Sequence, residues 1–136
     1  MKVAIVFDGR GAPAAAAEQM AEMVRASGHQ CTVESVASAD PAKVGRSDAI
    51  CIGTPTIGFH VIAQRPTDAI LDFISRLSLN GKPVAVFTTY SVAIGGTLRT
   101  MAGAVEASGG TVTGMYRSRG PKAAGDFQGW VRSLEV

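Results

Sequence analysis

VAIVFDGRGAPAAAAEQMAEMVRASG, residues 3 to 28, decides how the rest of the chain is read. Its first five residues are apolar without a break, as in a strand covered on both faces of a parallel sheet. Parallel strands need crossover helices. One follows at once: Ala16, Met20, Met23 and Val24 recur at helical spacing, Pro13 suits a first turn, and Gly28 supplies the stop. Between strand and helix lies DGRGAP, a tight turn leading into a helix start, where main-chain amides are available to an anion.

The same alternation continues outward from that unit. CTVESV (31–36) is a partly alternating strand suited to a sheet edge, and SADPAKVGRSD gives only a short or imperfect helix. AICIG (49–53) is a third strand; after a long turn, Ile70, Phe73, Ile74 and Leu77 mark a helix that stops at Asn80 and Gly81. PVAVFTT (83–89) is the fourth, followed by a helix with Leu98, Met101, Ala102 and Val105 inward. TVTGMY (111–116) is the fifth, and Phe127, Trp130, Val131 and Leu134 give the last helix its apolar face. The expectation is an α/β fold in a single domain, 1–136: a doubly wound, five-stranded parallel sheet in a three-layer sandwich with right-handed crossovers. Ligands of such sheets gather outside the carboxyl ends of the strands, here the loops at 8–14, 54–66, 88–96 and 117–123.

Composition narrows the function. At 136 residues, 46% hydrophobic and 18% charged, the chain can bury a core without staples, and no apolar run is long enough for a bilayer. Met1 to Gly9 lacks the charged region and cleavage site of a signal peptide, so a cytoplasmic protein without membrane association is expected. Cys31 and Cys51 fall inside strands, where an unpaired thiol acts as a small hydrophobe. A net charge of +2, dispersed and without a reader motif, does not point to nucleic acid. No Ser-His-Asp set, metal-ligand spacing or carboxylate pair stands out, so no catalytic or metal-ligating residue is assigned, and any catalysis is expected from a cofactor.

Three segments resemble flavodoxins and the related flavodoxin-like quinone reductases: IVFDGRGAPA (5–14), IGTPTIGFHVIAQRPTDAILDFI (52–74) and VFTTYSVAIGGTLRTMAGAVEASGGTV (86–112). The resemblance implies the strand order 2-1-3-4-5 and an FMN across the ends of strands 1, 3 and 4, its phosphate in the first loop. It makes Gly9, Arg10, Gly11, Ala12, Pro13 and Ala14 the phosphate cradle. Thr54, Pro55, Thr56, Ile57, Gly58 and Phe59 become the first ring loop, and Thr88, Thr89, Tyr90 and Gly95 the second. The Gly58 carbonyl matches a family position that accepts from the reduced flavin N5–H, and Tyr90 is the available stacking group.

The first loop departs from the family pattern. The family's three hydroxyl positions are matched to Gly9, Gly11 and Ala14, and its Asn to Pro13. Three lost hydrogen bonds to a charged group are worth about 4 to 9 kcal/mol, or roughly three to six powers of ten in affinity. Main-chain amides and the Arg10 guanidinium offset part of that. A plain strand-to-helix turn is an equal reading of the loop; Gly9, Gly11 and Ala14 also fit G-x-G-x-x-A, the dinucleotide pattern, with Glu34 or Asp40 as ribose acid. The first ring loop has Ile57 where the stacking aromatic is expected before Gly58, which leaves Phe59, His60 or an aliphatic contact on that side.

Two functions follow from the resemblance. One is an FMN-binding electron-transfer protein or small flavin oxidoreductase that works with a redox partner protein. The other is a flavodoxin-like module that has lost FMN and serves as a binding or assembly partner through its loop rim. Arg117, Arg119 and Lys122 form either a solvated basic rim or a surface that steers an anionic partner. They stand three strands from the first, about 14 Å at ordinary strand spacing, too far to hold its phosphate.

Overall fold

The computed structural model describes residues 1–59, 62–91, 93–123 and 126–134, with Phe59 and Ile62 described by their backbone. Five strands form one sheet: β1 (Lys2–Phe7), β2 (Gln30–Ser35), β3 (Ala49–Pro55), and two later strands taken up below. Between them run α1 (Ala12–Ala26) and α2 (Pro41–Val44). The segment after β3 contains β4 (Ile57–Phe59) and β5 (Ile62–Arg65), a small antiparallel pair. Then come α3 (Asp68–Ser75), β6 (Pro83–Tyr90), α4 (Thr97–Ala107), β7 (Thr111–Arg119) and α5 (Phe127–Ser133). The sheet order is β2-β1-β3-β6-β7 with every pairing parallel, which is the expected 2-1-3-4-5 once the β4–β5 excursion is set aside.

Strand pleating divides the core in two. Val3, Ile5, Cys51, Ala85 and Phe87 face α1 and α5, where they meet Met20, Val24, Phe127 and Trp130. Ala4, Val6, Ile50, Ile52, Val84 and Val86 face the other way, onto Ile70, Ile74, Met101 and Val105 of α3 and α4. Coverage on both sides is why these three central strands read as unbroken apolar runs. The flanking strands β2 and β7 alternate in exposure instead, as edge strands do.

Three details differ from the sequence expectation. The segment read as one long turn holds the β4–β5 hairpin, whose strands of 3 and 4 residues are too short to show periodicity. The fifth sheet strand runs on to Arg119, so Arg117 and Arg119 belong to the sheet and not to a loop. Ala102 is only half-buried; α4 turns Leu98, Met101 and Val105 inward. The weak second crossover is a single turn, α2, started by Asp40, whose Oδ1 accepts from the Ala42 amide at 3.0 Å.

β7 also carries a bulge. Val112 pairs with Val84 and Gly114 with Ala85, leaving Thr113 as the extra residue. Its hydroxyl accepts from Trp130 Nε1 at 2.8 Å, and the indole stacks on Phe127 with centroids 5.4 Å apart. The bulge thus supplies the polar partner that a buried tryptophan requires.

Candidate functional site

The carboxyl ends of β1, β3 and β6 lie side by side, and the loops that leave them build the site. After Phe7 the backbone turns through Gly9 and Gly11, at φ 93° and 73°. Gly11 stands immediately before α1 and has no side-chain cap. The first helical bond runs from the Ala15 amide to the Gly11 carbonyl, 2.9 Å. Among the described residues no partner is found for the amides of Arg10, Gly11, Ala12 and Ala14, whereas Pro13 has none to offer. The Arg10 side chain is exposed.

This geometry corrects the match of family hydroxyls to Gly9 and Gly11. Both positions require a left-handed backbone that side chains rarely adopt, and a Cβ on Gly9 would sit 3.3 Å from Pro55 Cγ. Side chains leave this loop without strain at its other positions, Asp8, Arg10, Ala12, Pro13 and Ala14. Asp8 is the one that the structure fixes. Its Oδ1 accepts from the Gly9 amide at 2.9 Å and its Oδ2 from Thr67 Oγ1 at 2.5 Å. Thr67 in turn caps α3, accepting from the Ile70 amide at 3.3 Å, and its own amide donates to Thr54 Oγ1 at 3.1 Å. The first loop is therefore tied to a residue 59 positions away.

The threonines divide by depth. Thr54 and Thr88 are fully buried, and Thr89 nearly so. The Thr54 hydroxyl donates to the Pro55 carbonyl at 3.0 Å while serving Thr67; Thr88 Oγ1 donates to the Thr54 carbonyl at 2.9 Å and lies 2.7 Å from Thr56 Oγ1. Thr54 and Thr88 thus support the loops that leave β3 and β6 from below. Thr56, Ile57, Gly58 and Tyr90 come together with Gln64, Ser91 and Ala93 around a cleft of about 180 Å³. Drug-sized pockets hold roughly 300–1,000 Å³, so this cleft is too small to enclose a ligand of that size. Pro55 stands between this cleft and Gly9. The Phe59 side chain and His60 lie outside the described residues.

Glycine is required where these loops touch. A Cβ at Gly58, φ 139°, would meet the Ala63 carbonyl oxygen at 2.8 Å and Gln64 Cα at 3.0 Å. A Cβ at Gly95, φ 52°, would meet Gln64 Cβ at 2.8 Å, so the β4–β5 hairpin packs directly on the segment before α4. Gly58→Ala meets only backbone, which cannot step aside; we expect about 1–3 kcal/mol of local strain. The cleft should deform with little change in melting of the sheet. A melting temperature lowered by a few degrees, with amide chemical-shift changes confined to the β4–β5 hairpin and the cleft it lines, is the expected outcome.

Sequence reasoning treated Arg119 as a rim charge. Its Nε and Nη2 both donate to the Ser91 carbonyl at 3.2 Å, and the Gly120 amide donates to the Tyr90 carbonyl at 3.2 Å. The strand end therefore braces the loop that carries Tyr90. Asp8, Thr67 and Gln64 carry no local signal in the sequence, because all three act through contacts distant in the chain.

Neither thiol is poised as a nucleophile. Burial, partly opposed by Arg25, pushes Cys31 up to about 11, and full burial pushes Cys51 well above the ordinary thiol value. Among the described residues there is no cluster of three or more metal-ligating side chains, and no helix is long and apolar enough to cross a membrane.

No protein-family model and no curated protein sequence matches the chain. Solved structures do. Two-electron reduced flavodoxin from Megasphaera elsdenii is 23% identical with a TM-score of 0.82, over 98% of this chain and 97% of that one. A Streptococcus pneumoniae flavodoxin is 18% identical with a TM-score of 0.78, over 100% of both chains. A Fusobacterium nucleatum flavodoxin variant bound to flavin mononucleotide is 15% identical with a TM-score of 0.65, over 82% of this chain and 67% of that one. Together with the strand order and the covered sheet, these likenesses establish that the chain has the flavodoxin-like fold.

Proposed function

We propose that the protein binds a flavin, FMN being the one implied by the fold and the loop resemblance, and carries electrons between partner proteins. The observation that supports this most is the row of uncapped amides at the opening of α1, beside the cleft lined by Thr56, Gly58 and Tyr90. Both lie at the point where the sheet order reverses direction, which is where such folds take their ligands.

Main chain and ring loops fit the cofactor. The amides from Arg10 to Ala14 would face its phosphate end, helped by the Arg10 guanidinium. Tyr90 and Ile57 would cover the ring, and the Gly58 carbonyl offers an acceptor at the cleft edge. When bound, the isoalloxazine ring supplies the electron-accepting and electron-donating chemistry. The protein's contribution is to hold the ring in a partly water-excluded cleft and to present polar atoms to its edge, which sets its potential.

One observation favours the second reading, a flavodoxin-like module without flavin that works as a binding partner: the Asp8 carboxylate already takes the Gly9 amide. The absorption spectrum of the purified protein, with titrations by FMN and by riboflavin, separates the two. Flavin bands, or saturable quenching of added flavin, are expected. A colourless protein that quenches neither flavin would leave the second reading standing.

A further inference from the structure

We infer that Asp8 makes this site selective for a flavin that carries no phosphate, riboflavin being taken at least as well as FMN; this rests on the flavin-binding reading above. The carboxylate is half-buried, and both of its oxygens are engaged, by the Gly9 amide and by the Thr67 hydroxyl. Among the described residues no lysine or arginine pairs with it. A fixed negative charge therefore stands in the loop where the fold would otherwise place a ligand phosphate, and it holds the Gly9 amide directly beside the row from Arg10 to Ala14.

Arg10, the one cation of that loop, is exposed on a flexible stem. A mobile charge in water offsets a fixed, partly desolvated one only in part. A ribityl chain presents the opposite chemistry to a phosphate. Its hydroxyls are donors, and each carboxylate oxygen keeps a lone pair beyond the bond that it already accepts. The terminal hydroxyl of riboflavin can donate there, where the phosphate of FMN would be repelled. Thr67 is a positioning residue in this scheme, since its hydroxyl sets the carboxylate plane and reaches nothing else in the loop.

The test is a pair of fluorescence-quenching titrations, riboflavin and FMN, on the wild-type chain and on Asp8→Asn. Wild type is expected to bind riboflavin with a Kd no larger than that for FMN. Asp8→Asn should tighten FMN by roughly ten- to a thousand-fold while weakening riboflavin only a few-fold, which inverts the order. Wild type binding FMN more tightly than riboflavin would overturn the selectivity and leave the flavin reading intact; quenching of neither flavin would remove both. Should Asp8→Asn not fold, as judged by circular dichroism, competition on the wild type replaces it. Inorganic phosphate should then displace neither flavin, and displacement would count against the inference.

Discussion

Gly53→Ala is expected to melt far below the wild-type protein. A Cβ at this position would lie 2.0 Å from Phe87 Cζ and 2.2 Å from Cε1, inside the ring it faces across the β3–β6 pairing. Phe87 is itself fully buried and wedged against α1 and α5, so its ring has nowhere to go without opening the core. Overpacking of this kind costs about 1–3 kcal/mol and occasionally more; with the ring so close, the upper end is expected, lowering the melting temperature by roughly 10 °C. Restoring space with Phe87→Leu in the same chain should recover part of the loss. A single Gly53→Ala variant melting within about two degrees of wild type would show that the ring can turn aside.

Trp130→Ala should be as damaging, for the opposite reason. The indole is 1% exposed, stacks on Phe127 and donates to Thr113 at the bulge. Truncation empties that volume and leaves the Thr113 hydroxyl without its partner, at a cost of about 3–5 kcal/mol. Trp130→Phe keeps the stacking and removes the hydrogen bond, so about 1 kcal/mol is expected. Urea unfolding followed by circular dichroism ranks the two; equal midpoints would mean that the bond, not the packing, holds α5. Since Trp130 is the one tryptophan in the sequence, its emission also reports α5 docking in every other variant considered above.

The central strands were legible because burial on both faces leaves an unmistakable trace: VAIVF, AICIG and PVAVFTT can hardly be anything else. The edge character of β2 was legible for the complementary reason. The β4–β5 hairpin was not, because it is held by the segment before α4 through Gln64 and Gly95, a contact with no local signature. The same limit applied to the threonines. Thr54 and Thr56 are two residues apart in TPT, yet the first is sealed beneath the start of α3 and the second reaches the cleft. Asp8 illustrates the limit most clearly: its partner Thr67 belongs to another loop, so the sequence showed an isolated acid where the fold builds a held carboxylate.

The register shift at Thr113 has a consequence beyond the tryptophan. Every sheet that ends in an open strand offers unpaired amides and carbonyls to a neighbouring chain, and long flat borders invite stacking into aggregates. Here the outer border is kinked by the extra residue and lined farther along by the side chains of Arg117 and Arg119, so an incoming strand would meet a twist that it cannot follow and charge that it must desolvate. The local irregularity that seats one indole thus also blunts the border against recruitment of a sixth strand.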